Sequence, residues 1–408
     1  MTRAVIPGIS VSMRHDTRPS CDDLTVKRAA LNDYGSLEPL IRGIRDHRPL
    51  DLNAEIWREA HPELEFTAWQ AAARQCLLDG LHYNPGVLDL RPEVLARETR
   101  DGFILETVAF NTTAWIRVEG AFLIPTGVDL PVPGLVVFHA WGGPMLFGRD
   151  RIVNSGRDHP ALQQHRDTVY DGRYLAEVFA RAGYAVIVID AFHFGSRAPR
   201  GLNGIPAVVD PFDLSPGDYQ ALDSLVREQI YLGVRQLAWA GTTWMGVNYW
   251  DDSRCVDFLL SRPEVDPDRI GCTGLSGGGW RTNFLAALDA RIKASVSVGW
   301  MTTGDHQQLY NVAGAVGTFC LLPGVWDRLD IPDLAVMAAP GASLIVSAAE
   351  DRLFPPEGQL EAARQIAAGY SWAGYPDHMR FLHPPKPHCY DTDLQEQAMV
   401  WFGTHLQG

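Results

Sequence analysis

Gly274-Leu275-Ser276-Gly277-Gly278 sets a hydroxyl between glycines, in a chain that also carries adjacent carboxylates at Glu350 and Asp351 and, near its end, His383 and His388. Serine, acid and histidine in that chain order are the parts of a nucleophile, its orienting carboxylate and its general base. A serine hydroxyl alone is too weakly acidic to attack an ester at a useful rate. An imidazole in reach takes the proton during attack and returns it to the leaving group, while a carboxylate fixes the tautomer and supports the imidazolium. The chemistry to expect is acyl transfer through Ser276.

Glycine and serine also mark ordinary loops, so the context has to carry the reading. A short apolar run, Ile270 to Leu275, precedes the serine, and a helical pattern from Arg281 to Leu288 follows it. Strand, tight turn and helix in succession form the setting of a nucleophile elbow. Side chains at positions 274 and 278 would meet neighbouring backbone in such a turn, and glycine removes the collision.

The acid is expected beyond a buried strand that follows the elbow, and Leu344 to Ser347 is such a strand. Asp351 is preferred to Glu350 because the shorter side chain has fewer freedoms to freeze. For the base, His388 is preferred to His383, since it lies beyond the Pro384 to Pro387 run and just before the last helix, where a loop can lean over the sheet edge. His139, His193 and His306 read as hydrogen-bonded residues at strand ends or in loops. Charge on the carbonyl oxygen needs backbone N–H donors. Gly277 supplies one and Trp141 the other, with Gly142 as the alternative.

These parts need elements to hold them. Continuous apolar runs at Gly134 to Phe138 and Ala185 to Ile189 read as strands covered on both faces. They alternate with helical patterns at Tyr174 to Ala182, about 218 to 240, 249 to 261, Gly358 to Ala368 and Asp393 to His405, with further strands at Ala294 to Val298 and near Met379 to Leu382. The pattern predicts an α/β fold with a mostly parallel, twisted sheet flanked by helices. Two antiparallel strands are expected between Phe103 and Pro125 from period-two alternation. Residues 196 to 217 form a glycine- and proline-rich excursion leading into a helical insertion, and 301 to 332 is irregular. Residues 1–95 read as an arm, to about 34, followed by a helical appendage in which Asp51 could cap the segment holding Ile56 and Trp57. Residues 96–408 read as the catalytic domain.

With 408 residues, 46% hydrophobic and 21% charged, the chain can bury a large core. A net charge of -14 argues against nucleic acid or an anionic membrane as partner. Six cysteines without metal-ligand spacing, and no apolar stretch of signal or membrane length, lead to the expectation of a cytoplasmic protein with reduced thiols. No metal or organic cofactor is implied. The expected partner is a small-molecule ester, and homo-oligomerisation is left open.

Tyr170 to Ala176, Val188 to Arg197, Ser261 to Gly271 and the Gly-Leu-Ser-Gly-Gly-Gly elbow resemble the dienelactone hydrolase and acetyl xylan esterase-like branch of the α/β-hydrolases, over roughly residues 65 to 405. The resemblance implies a carboxylic ester hydrolase, with Ser276, Asp351 and His388 at the triad positions. Ala140 stands where that branch usually has glycine after the histidine, and the helical appendage is longer than in its compact esterases. Trp280, Trp300 and Trp244 are expected to line a substrate pocket suited to a sugar or another flat group, against the ordinary alternative of core filling. A carbon–carbon bond hydrolase on the same scaffold is the second enzyme reading. A peptidase is disfavoured by the lack of room for a propeller, and a non-catalytic receptor by the retained base.

Overall fold

The computed structural model describes residues 37–407, apart from 309, 311 and 313–315. Contacts divide the chain at Pro49 and Leu50. The described part of the first unit holds helix α1 (Leu37–Asp46). The expected arm lies outside the described residues. Helices α2 (Ala54–Ala60) and α3 (Phe66–Leu81) belong to the second unit, so the contact division falls well before residue 95. The cause is burial: Trp69, Ala73, Leu77 and Leu81, spaced four apart on α3, are at most 1% exposed. The Trp69 indole also donates to the Leu52 carbonyl at 2.8 Å. Asn53 rather than Asp51 caps α2, accepting from the Ile56 N–H, and Asp51 pairs with Arg328 at 2.7 Å.

Nine strands form one sheet in the order β1-β2-β3-β5-β4-β6-β7-β8-β9. β1 (Glu93–Arg100), β2 (Phe103–Asn111) and β3 (Arg117–Pro125) are antiparallel, and β3 meets β5 (Ala185–Ile189) antiparallel as well. From β5 onward, through β4 (Val132–Phe138), β6 (Val265–Leu275), β7 (Ile292–Val298), β8 (Ala342–Val346) and β9 (Met379–Leu382), all pairs are parallel. β1 has no counterpart among the expected elements. It is an exposed edge strand bearing Glu93, Arg97, Glu98 and Arg100, so it carries no apolar alternation to read.

Successive residues of β4 feed two cores. Leu135 and Val137 join the face covered by α5 (Leu175–Arg181) and α12 (Thr392–Phe402). Val136 and Phe138 face α7 (Trp244–Leu260) and α8 (Gly277–Leu288). The insertion carries α6 (Pro216–Trp239), and α7 starts at Trp244, earlier than its apolar period suggests, because Thr243 accepts the Gly246 N–H as a cap. The remaining helices are α4 (Pro160–Tyr170), α9 (Gly304–Gln308), α10 (Ile331–Met337) and α11 (Pro356–Trp372). α10 is too short for its period to show, and it is marked instead by the Asp330 capping box and by Pro332 in its first turn.

Buried titratable groups give the fold a mixed response to acid. Burial holds His139 down to about 3, His165 to about 2 and His193 to about 4. Each stays neutral in the fold while its unfolded counterpart gains a proton below about 6.5, so these contributions are present above that pH and lost as pH falls. Burial raises Asp333 to about 7 and Asp150 to about 6, and these act in the opposite sense, losing their contribution as pH rises through those values. A single group can therefore be isolated only by difference. His193 has φ 76°, a conformation asparagine tolerates. The destabilisation caused by His193→Asn, read from urea unfolding, should be about 2 kcal/mol smaller at pH 5 than at pH 7.5. A pH-independent difference would show that His193 is not buried in its neutral form.

Candidate active site

Ser276 follows β6 with φ 60° and ψ -119°, a conformation costly for a non-glycine residue. Its N–H donates to the Val298 carbonyl at 2.8 Å, and its carbonyl accepts the Trp280 N–H at 2.9 Å, which tie the turn to β7 and to the start of α8. The neighbouring glycines answer to close backbone. A Cβ on Gly274 would stand 2.7 Å from the Gly278 carbonyl carbon and 2.8 Å from the Phe138 oxygen, and one on Gly278 would stand 2.7 Å from that same oxygen. No side chain fits at either position. The helix can approach β4 this closely only where both residues are glycine.

Asp351 and His388 meet in space although 37 residues separate them. His388 Nδ1 sits 2.5 Å from Asp351 Oδ2, which places the ring proton between them and leaves Nε2 free of that bond. The Asp351 side chain is 1% exposed and that of His388 is 24% exposed. The second carboxylate oxygen of Asp351 accepts the Leu353 N–H at 3.0 Å. The imidazole lies against the residue that follows β7: a Cβ on Gly299 would stand 2.9 Å from His388 Cε1 and 3.3 Å from Leu275 Cδ1. That puts the ring beside the strand end that leads into the elbow. Glu350 is exposed, and His383 is a strand-end residue whose Nδ1 bonds the Ser347 carbonyl at 2.7 Å.

The loop after β4 borders the elbow from the other side. A Cβ on Gly277 would stand 2.5 Å from Trp141 Cβ and 3.1 Å from its backbone nitrogen, so the two candidate N–H donors belong to touching segments. His139 itself is structural. Its Nε2 accepts the Ala191 N–H at 3.0 Å, and its Nδ1 lies 2.9 Å from the Ala140 carbonyl. Residues that the motif reading did not single out hold this loop. Arg151, fully buried, donates to the carbonyls of Ala140 at 2.6 Å, Gly142 at 2.7 Å, Phe147 at 2.8 Å and Pro144. Asp223 of α6 accepts the N–H groups of Met145 at 2.5 Å and Leu146 at 3.2 Å. An arginine twelve residues beyond a histidine carries no recognisable spacing, which is why sequence did not single it out.

Aromatic rings gather around the elbow in two groups. Trp141 packs edge-on to Trp244 at 4.8 Å and near Phe319 at 4.5 Å, while Trp280 lies 4.1 Å from Trp300. Trp244, Trp280 and Trp300 are each at most 2% exposed, and of these four indoles Trp141 alone is partly open. Two other tryptophans of the insertion lie elsewhere. Trp239 is 95% exposed, and Trp250 donates to the Thr112 carbonyl at 2.7 Å. Among the described residues, no group of three or more histidine, cysteine or acidic side chains could hold a metal ion, and no helix is long and apolar enough to cross a membrane.

No family model matches the chain. The "putative hydrolase YtaP" of Bacillus subtilis (strain 168) is 25% identical over 316 residues, covering 76% of this chain and 92% of YtaP. The "putative acetyl xylan esterase" of Bacteroides fragilis NCTC 9343 superposes with a TM-score of 0.62 at 17% identity, over 86% of this chain and 82% of that one. The glucuronoyl esterase of Solibacter usitatus superposes with a TM-score of 0.57 at 16% identity, over 83% of this chain and 93% of its own. Sheet order, elbow and these superpositions agree on the architecture: the chain has the α/β-hydrolase fold.

Proposed function

We propose that the protein is a serine hydrolase that cleaves a carboxylic ester of a small molecule through an acyl-enzyme. The observation that carries this reading is the 2.5 Å contact between Asp351 and His388, with the imidazole laid against Gly299 beside the strained serine turn. Asp351 holds Nδ1 protonated and so presents the basic Nε2 toward Ser276. The serine oxygen attacks the ester carbonyl as Nε2 takes its proton. The tetrahedral oxyanion is met by the N–H groups of Gly277 and Trp141, and the proton then passes to the departing alcohol. Water repeats the sequence on the acyl-serine and releases the acid. Tetrahedral charge at that oxygen is what a pair of backbone donors on adjoining segments is suited to receive.

The partly open Trp141 ring, backed by Trp244 and Phe319, offers a flat apolar wall, which favours a sugar or an aromatic group in the ester. The structural neighbours described as acetyl xylan and glucuronoyl esterases support esters of carbohydrates as the class to try first. Five described cysteines are unpaired, which suits a reducing, cytoplasmic setting.

Ser276→Ala should abolish hydrolysis of p-nitrophenyl acetate and block the intact-mass shift that a fluorophosphonate produces in the wild type. Retention of wild-type turnover by that variant would sink the proposal. Asp351→Asn should lower kcat by the order of 10⁴ with the fold intact by circular dichroism, because the imidazole loses the partner that sets its tautomer. A carbon–carbon bond hydrolase would differ in kinetics, being labelled at Ser276 yet slow on every activated acetate of a panel.

A further inference from the structure

A guanidinium with no exposure is costly to bury, and Arg151 spends its hydrogen bonds on carbonyl oxygens of a single loop. Those carbonyls, of Ala140, Gly142, Pro144 and Phe147, all turn toward one side chain. A trans peptide is planar, with its C=O and the following N–H pointing in opposite directions. With the Ala140 carbonyl held by Arg151 at 2.6 Å and by His139 Nδ1 at 2.9 Å, the N–H of Trp141 must face away from the guanidinium. The Trp141 nitrogen is also the one that stands 3.1 Å from the Cβ position of Gly277. The peptide that Arg151 orients is therefore the peptide whose N–H is the candidate second oxyanion donor.

The insertion completes the clamp from the opposite end of the loop. Asp223 receives the N–H groups of Met145 and Leu146, and Arg227, one turn further along α6, donates to the Gly143 carbonyl at 2.9 Å. Tyr219 donates its hydroxyl to Asp223 at 2.9 Å, which orients that carboxylate in turn. Backbone groups from Ala140 to Phe147 are thus held by side chains from beyond the loop itself and from the insertion helix.

We propose that Arg151, seconded by Asp223 of the insertion helix, is a positioning residue that aims the Trp141 N–H at the reacting carbonyl oxygen. The inference rests on the serine hydrolase reading and deepens it. Lysine cannot replace the guanidinium, since a single ammonium on a flexible stem lacks the planar fork that reaches several carbonyls at once.

The test uses the full chain with p-nitrophenyl acetate as substrate, phenylboronic acid as a tetrahedral oxyanion mimic, and acetate as a planar product. Arg151→Lys should lower kcat by about 10- to 100-fold with KM within threefold, and should weaken phenylboronate by a similar factor while leaving acetate inhibition unchanged. Asp223→Asn should show the same pattern at three- to tenfold. A folded Arg151→Lys enzyme with wild-type kcat, or with equal losses for boronate and acetate, overturns the proposal. If Arg151→Lys does not fold, Asp223→Asn decides, and wild-type kcat and boronate affinity there overturn it. A wild type that a fluorophosphonate fails to label at Ser276 refutes the underlying hydrolase reading, whereas a labelled wild type with unaffected variants refutes this inference alone.

Discussion

Three strand ends converge on one turn with less room than side chains require. Gly274 and Gly278 face the Phe138 oxygen of β4, Gly277 faces Trp141, and a Cβ on Gly279 would stand 2.6 Å from the Val298 oxygen of β7. This close approach of α8 to β4 and β7 lets Ser276 persist at φ 60°, a conformation that on its own costs about 1–3 kcal/mol. Parallel pairing of β4, β6 and β7 supplies the rigid frame, since strands covered on both faces by helices leave the turn little freedom to relax. The loop that carries Trp141 leaves β4 and the His388 imidazole rests on Gly299 after β7, so both are placed relative to this one turn.

Buried charge in this protein holds loops more than it joins elements of the sheet. Asp190, 1% exposed, accepts the N–H of Arg149 at 2.6 Å and both the N–H and the hydroxyl of Ser196, which tie the loops after β4 and β5 together. Arg281 of α8 forms a buried pair with Asp252 of α7 and lies over the Phe138 ring at 4.3 Å. Removing one member of such a pair leaves an uncompensated charge in a low dielectric, which is far more costly than losing a surface ion pair. The loops after β4 and β5 are consequently held by groups that have no better alternative.

The aromatic residues show where burial changes the meaning of a composition. Trp280 in α8 and Trp300 after β7 lie close to the elbow in sequence or in the sheet, yet they pack on each other and are nearly inaccessible. Trp141, on the loop after β4, is partly open although it packs against Trp244 and Phe319. Burial, which composition does not show, is what separates these rings.

Apolar runs and glycine spacing already contained the parallel sheet and the elbow, because strand burial and steric exclusion act over a few residues and leave local patterns, whereas the preference for Asp351 and His388 came from chain order and position alone. β1 escaped, since an exposed edge strand has no apolar face, and so did α10, too short for a period to emerge. The division at Pro49 was hidden as well, because Trp69 and Leu77 look alike whether a helix packs on its own neighbours or on the main core. Contacts between residues distant in sequence depend on how the loops return, and no local pattern encodes them. The seating of the imidazole on Gly299, the collection of loop carbonyls by Arg151 and the reach of Asp223 from the insertion are of this kind, and they became visible only once the chain was folded.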